Sequence, residues 1–283
     1  MHRAFFAAFG LLAATPSVAQ SVPNEAGLPS ADEVSNRNYV TVGLGVGMTA
    51  DYEGSDNYRI IPAGAIRGKQ GGISFATRGL NLYVDVIPDG DTIGIDAGPI
   101  VGVRLNRTGK IKDDIVNLLP DRKTAIEVGG FAGVSFKGLT NPYDALSLRL
   151  DVVHDIADSH RSTIVSPNID FSTPLSLTTF VSASIGADFV ANKYADSYFS
   201  VSLAESLLTA GELPVYDADG GMKNWKIGLL VNQSLSGDLR RGFSLFGLAN
   251  YSKLVGDFKD SPIVDLRGSS SQWLGAVGVA YTF

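Results

Sequence analysis

The amino-acid sequence predicts an all-β protein: a transmembrane antiparallel up-and-down β-barrel of about 12 strands, with short periplasmic turns and long external loops. Three observations carry that expectation. From Tyr39 to the last residue, apolar residues alternate with small or polar ones in segments of about 10 to 15 residues. Soluble sandwich strands have a mode of about 5–6 residues, whereas a tilted membrane strand needs about 9–11. The connections fall into a tight class and a long class, as the two ends of a membrane barrel require. The last segment, Trp273-x-Gly275-x-Val277-x-Val279-x-Tyr281-x-Phe283, is an alternating strand closed by Phe, the form of the terminal signal read by the bacterial outer-membrane assembly machinery.

The N-terminus comes first in the order of elements. Met1-His2-Arg3, an apolar run from Ala4 to Ala14, and small residues at Ser17 and Ala19 make the three parts of a secretory signal. Residues 1–19 are therefore expected to be cleaved on export. Residues 20–38 carry Pro, Ser and Asn without periodicity and read as a flexible periplasmic leader. The barrel is expected to occupy residues 39–283.

Its first strand is the plainest, with Val40, Val42, Leu44, Val46 and Met48 set against Thr41, Gly43, Gly45, Gly47 and Thr49; one face is apolar and the other small or polar. The same rule places strands at about 39–50, 58–68, 72–77, 80–86, 92–106, 124–138, 143–155, 161–172, 177–189, 223–235, 241–252 and 272–283. The third and fourth are short, and a further candidate lies around Tyr198 to Leu203. Tight connections fall at 69–71, 87–91, 139–142, 173–176 and 236–240, and long ones at 107–123, 190–222 and 253–271. An even strand count puts both barrel termini on the periplasmic side. Aromatic residues near strand ends, among them Tyr39, Tyr58, Phe136, Phe189, Trp225, Phe243, Tyr251, Trp273 and Tyr281, suit two interfacial girdles in contact with outer-membrane lipid.

Composition removes other classes. Outside the N-terminus no apolar stretch approaches the roughly 20 residues of a membrane-spanning helix. The formal charge is −6, from 23 Lys and Arg against 29 Asp and Glu. No basic cluster occurs, so no nucleic-acid partner is expected. With no cysteine there is no disulfide framework and no thiolate site.

If the apolar phase faces lipid, the other phase points into the lumen. It then contains Arg59, Arg67, Arg78, Asp85, Asp96, Arg104, Glu127, Arg149, Asp151, Asp188 and Lys226. Both signs are interspersed. Isolated charges in a confined lumen are costly, so these groups are expected to pair, giving either a plugged interior or a narrow polar pore. The glycines of the first strand would leave lumen space for long side chains such as Arg67 or Arg104.

No enzyme is expected. After signal removal only His154 and His160 could serve as a catalytic base. Asp151, Asp155, Ser159 and Ser162 lie nearby in sequence, but with no elbow motif or fixed spacing. The acidic run Asp217-Ala218-Asp219-Gly220-Gly221 lacks the alternating ligands and closing Glu of a calcium loop and reads as a turn. No metal and no cofactor are expected.

One stretch is more specific. Tyr52, Gly54, Ser55, Asp56, Tyr58, Arg59 and Pro62 form a Tyr-x-Gly-Ser-Asp-x-Tyr-Arg-x-x-Pro pattern that resembles the opening of the MltA-interacting protein (MipA/OmpV) family. Further pieces match in order: Arg78-Gly79-Leu80, Ile126-Glu127-Val128-Gly129, Tyr194 before Tyr198, then Gly211, Leu213, Pro214 and Tyr216, and finally Asp260-Ser261-Pro262. Glu212 interrupts the family's Gly-Leu-Pro, and Ser200 stands where Gly is typical. The resemblance implies an outer-membrane scaffold that links a lytic transglycosylase to a peptidoglycan synthase. It implies no catalytic residues. A small-solute or osmoregulated pore, or a surface-exposed adhesin-like barrel, is the alternative.

Overall fold

The structure, a computed structural model, describes residues 37–88, 90 and 92–283. The expected signal and all but the end of the leader lie outside the described residues. Twelve strands follow: β1 Tyr39–Ala50, β2 Tyr58–Gln70, β3 Ile73–Arg78, β4 Asn81–Asp85, β5 Ile93–Arg104 and β6 Ala125–Lys137. The remaining strands are β7 Ala145–Asp155, β8 Thr163–Pro174, β9 Thr179–Val190, β10 Gly221–Ser234, β11 Gly242–Leu254 and β12 Ser271–Thr282. Each pairs antiparallel with its neighbours in sequence, and β12 closes on β1 from Thr41↔Thr282 to Thr49↔Leu274. The boundaries agree with the alternation to within about two residues.

The alternation works as the sequence reading requires. On β1, Leu44 is 70% exposed and Val46 57%, while Thr41 on the opposite phase is 6% exposed. The outward belt of large apolar side chains, including Ile95, Ile185, Leu229 and Val277, has no protein cover and is the surface a bilayer would wet. Trp225, Tyr251 and Trp273 pack ring to ring near the loop end, with centroids 5.5 and 4.9 Å apart. Phe243, Tyr281 and Phe283 do the same at the turn end, at 4.8 and 4.7 Å.

The turn end is tight. Gly71 and Gly72 sit at φ of +57° and +89°, the left-handed backbone that a two-residue hairpin between right-twisted strands requires. In the β6–β7 turn, Asp144 is fully buried and accepts the N–H groups of Leu139 (2.7 Å), Thr140 (2.7 Å) and Asn141 (3.2 Å). Burial pushes the Asp144 carboxyl up, but the Thr140 hydroxyl and these amides more than offset it and hold the pKa below the ordinary value. Asp144→Ala is therefore expected to destabilise by about 2 kcal/mol, the scale of bonds to a charged acceptor. A depressed carboxylate contributes fully above its unfolded pKa of about 3.9 and loses that contribution as pH falls. The gap between wild type and variant in urea unfolding should thus be full at pH 7 and shrink near pH 3.

The expected long loops carry helices of their own. Loop 191–220 contains α1 Asn192–Phe199 and α2 Leu203–Leu208, and loop 255–270 contains α3 Asp257–Asp260 and α4 Pro262–Asp265. Ser202 caps α2 with Glu205 in a reciprocal capping box. Tyr52, Ile111, Val116, Leu119, Val201, Leu213 and Ile263 from four loops bury one another. The long loops therefore form one packed lid. The candidate strand around Tyr198 to Leu203 runs from the end of α1 to the start of α2, and Val201 between them makes only an isolated bridge to Tyr216.

One part of the wall is incomplete. β3 has 6 residues and β4 has 5, so their hairpin stops below the loop end. β2 pairs with β3 only from Arg67↔Ala76 to Gln70↔Ile73.

Candidate functional site

The lumen holds two charge clusters at different heights. In the first, Arg78 on β3 reaches Asp170 on β8 at 3.2 Å. Arg149 on β7 bonds Asp151 at 2.6 Å and Asp170 at 3.2 Å. The Tyr83 hydroxyl on β4 donates to Asp151 at 3.1 Å, and both guanidinium groups lie over the Tyr83 ring, 5.7 and 5.3 Å from its centroid. Two strands, β5 and β6, separate β4 from β7 in the sheet. These bonds therefore cross the lumen and tie the short hairpin to the opposite wall.

The second cluster lies under the lid. Glu53, from the β1–β2 loop, accepts from Lys223 Nζ and from the Tyr194 hydroxyl, each at 2.5 Å, and faces Arg104 at 3.5 Å. Arg104 Nε bonds Glu127 at 2.7 Å, and Glu127 also meets His160 Nε2 at 3.2 Å. Lys226 pairs with Asp188 at 2.6 Å, and Lys223 stands 3.8 Å from the same carboxylate. Lys223 is 1% exposed, so Glu53 and Asp188 supply the counter-charge that makes its burial tolerable. Burial pushes the Glu53 carboxyl up, but Lys223 and Arg104 outweigh it and hold the pKa below the usual carboxylate range.

The remaining expected lumen charges are more scattered. Arg59 stands 3.9 Å from Asp51 at the top of β2. Asp85 accepts the N–H groups of Ile87 and Ala97. Arg67 and Asp96 lie on the inward phase of β2 and β5. Residues that the charge reading did not name complete both clusters: Asp170, Tyr83, Glu53, Tyr194 and Lys223. The space above the β1 glycines is also used differently from the expectation. A Cβ on Gly43 would lie 3.2 Å from Phe246 and one on Gly278 would lie 2.6 Å from it, so a phenyl ring from β11 occupies that room while Arg104 turns to Glu127.

Of the family-pattern residues, Tyr52, Gly54, Ser55 and Asp56 form the β1–β2 loop, where Tyr52 donates to the carbonyls of Ile263 (3.3 Å) and Arg267 (3.1 Å). Ser55 bridges to Gly268, and a Cβ on Gly54, whose φ is +98°, would run into Val264. Gly211, at φ +83°, and Pro214 lie in loop 191–220. The Tyr216 hydroxyl there donates to Asp257 O at 3.0 Å. Ser261 donates to Phe199 O at 2.5 Å, and Pro262 opens α4. Tyr58 and Pro62 lie on β2. The loop residues of the pattern thus join the lid, and those on β2 lie at the top of the wall. His154 is paired with Thr163 Oγ1 at 2.9 Å on the outward phase, while His160 is buried against Tyr194 and Tyr198. The structure does not bring the two histidines together. Asp217 to Gly221 make a turn held by Asp219 N–H on Asp257 and Gly220 N–H on Asn192.

A closed membrane barrel whose lumen is crossed by paired charges defines a β-barrel of the outer-membrane kind. The chain belongs to the family described as MltA-interacting protein MipA, whose model matches residues 42–283. A comparison with the curated proteins finds no match. Among solved structures the NanC porin is 10% identical at a TM-score of 0.46, covering 87% of this chain and 99% of that one. The COG4313 outer membrane channel from Pseudomonas putida F1 is 10% identical at a TM-score of 0.44, covering 93% and 100%. An anion-selective porin from Comamonas acidovorans is 11% identical at a TM-score of 0.37, covering 87% and 99%. At these scores the likenesses carry no argument, and the barrel rests on its own strand pairing.

Proposed function

We propose that this barrel is an outer-membrane anchor for cell-wall-remodelling enzymes, holding a lytic transglycosylase, and through it a peptidoglycan synthase, at the periplasmic face. The observation that carries the reading is the pair of ion networks across the lumen, which makes the interior a brace instead of an open axial conduit. The family name, with its MltA partner, supports the choice of enzyme. The turn end supplies a surface: Leu139, Leu175, Leu177 and Leu235 are exposed on three neighbouring turns. Those turns are tied down, by Asn141 Nδ2 on Thr173 Oγ1 at 2.9 Å and by Leu239 N–H on Leu177 O at 3.3 Å. A rigid apolar patch loses little conformational entropy on docking.

The test is retention of a purified lytic transglycosylase of the same envelope on immobilised, heat-modifiable barrel. Leu139→Asp with Leu235→Asp is expected to weaken retention about tenfold, roughly 1.4 kcal/mol. Unchanged retention would reject this surface. Two observations favour the pore or adhesin-like alternative. Gly45, Ser184 and Ala276 line a lumen wall of small residues, and Leu203, Leu207, Leu208 and Val215 are exposed on the lid. Discrete conductance steps in planar bilayers, altered by Arg104→Ala, would move the assignment to a pore.

A further inference from the structure

The short β3–β4 hairpin leaves the outer half of β2 without a neighbour on that side. Register fixes which groups are affected. Ile66 donates to and accepts from the Thr77 hydroxyl at 3.0 and 3.3 Å, so the even residues of β2 aim their backbone groups toward the gap. Thr77 thus ends the ladder with a side chain in place of a strand. At the top, Tyr58 O accepts from Lys112 Nζ at 2.5 Å. Between these two caps, Ile60, Pro62 and Gly64 have no strand partner on this side among the described residues. On the far side, β4 pairs with β5 as far as Gly102, Leu80 O accepts from Val103 N–H at 3.4 Å at the hairpin tip, and β5 ends at Arg104, so the unpaired edge of β2 lies above the hairpin tip and beside the β5–β6 loop.

The wall here is open on both faces. Ile60 is 81% exposed, and Gly64, Ala65 and Ile66 are exposed in succession although they alternate between lipid and lumen phases. A Cβ at Gly64 would meet nothing within 4 Å. The rim is apolar, with Leu80, Val103 and Leu105 all exposed at and beside the hairpin tip. An open sheet edge facing hydrocarbon alone would leave amide groups unsatisfied at several kcal/mol each. The occupant must therefore bring both polar and apolar surface. Pro62 removes a donor from the middle of the edge, which argues against another β-strand as that occupant. The polar end is cationic. Arg59 on the lumen side of the upper rim keeps its Nε buried without a partner, and Lys112 stands beside it; the carboxylate they face is Asp51, 3.9 Å from Arg59 and bonded to the Lys112 N–H at 2.7 Å. The edge without a strand partner runs from Ile60 to Gly64, roughly 13 Å at about 3.3 Å per residue. That stretch of edge seats one alkyl chain and is too small for a many-chained lipid.

We propose that this lateral window between β2 and the tip of the β3–β4 hairpin binds a single-chain anionic amphiphile of the fatty-acid class from the outer leaflet, its tail along Ile60, Pro62 and Leu80 and its carboxylate at Arg59. The site is independent of the turn-end surface. The test uses the folded barrel in phosphatidylcholine vesicles with dansylaminoundecanoic acid as probe, read by energy transfer from Trp225 and Trp273. Saturable binding is expected, displaced by palmitate about tenfold more effectively than by hexadecanol. Gly64→Phe should weaken it about tenfold, and Arg59→Gln should erase the preference for the acid over the alcohol. Gly247→Phe, on β11 three strands away from β2, where an added Cβ also meets nothing within 4 Å, should bind as wild type. Heat-modifiable migration of each variant confirms the fold. Absence of saturable binding, equal binding by Gly64→Phe and wild type, equal loss in Gly247→Phe, or displacement by lipopolysaccharide but not palmitate would each overturn the proposal.

Discussion

Asp170→Ala is expected to destabilise the folded barrel by about 3 kcal/mol, the lower end of what removing one partner from a buried ion pair costs. Asp170 is 4% exposed and is shared by Arg78 and Arg149 at 3.2 Å each. Its loss leaves two guanidinium groups facing each other across the lumen, with Asp151 still bonded to Arg149. Water in the lumen screens part of the penalty, which is why the lower figure applies. Urea unfolding in vesicles, followed by tryptophan fluorescence, measures the change. Arg149→Ala combined with Asp170→Ala should lose less than the two single changes summed, because each removes the other's unpaired charge. A loss below about 0.5 kcal/mol in the single variant, the range of an ordinary surface change, would mean that the mid-lumen bridge is ornamental to stability.

The barrel itself was legible because a membrane strand is written twice over, once in its length and once in its period of two. The lumen charges followed from phase alone, since the odd or even position of one residue fixes the face of all the others in its strand. The same rule reaches Asp170, which shares its phase with Ser166 and Asn168, although Ile164 on that phase blurs which face of β8 is inward. Lys223 escapes it for a physical reason. The register between β9 and β10 shifts between Met222 and Asn224, so Lys223 and Asn224 are both buried, at 1% and 6% exposed, and no alternation reports it. Glu53 sits in a loop, where side-chain direction has no period. The lid was hidden because its helices lie within loops. Tyr194, Ala195, Tyr198 and Phe199 do repeat at helical spacing, and all four are buried, but a single short amphipathic turn in a long connection is a weak signal against a background of strands. The incomplete wall was the least legible feature. Short β3 and β4 are visible in sequence, but the height at which their hairpin stops depends on register.

Glu53→Ala is the change with the widest expected consequence, because one loop carboxylate joins the lid helix α1 to two strands of the barrel. It accepts from Lys223 on β10 and from Tyr194 on α1, and it stands 3.5 Å from Arg104 at the end of β5. Removing it leaves Lys223, 1% exposed, with the Tyr194 hydroxyl at 3.3 Å and, as counter-charge, the 3.8 Å approach to Asp188. A loss of about 3 kcal/mol is expected on the scale of broken buried pairs, with Glu53→Gln intermediate because it keeps an acceptor without the charge. The sign with pH follows from the depressed carboxyl. The contribution is complete above the unfolded pKa of about 4.3 and declines as pH falls through the folded value, so acid should reproduce the variant's phenotype in the wild type. Limited proteolysis reads the lid directly: cleavage within loop 191–220 should rise in Glu53→Ala at pH 7 and in the wild type only at acid pH. Because the mid-lumen bridge of Arg78, Arg149 and Asp170 is untouched by this change, a loosened lid alone should leave the protein silent in planar bilayers. Conductance in Glu53→Ala, absent in the wild type, would instead identify the lid as the gate of an axial path and Glu53 as its latch.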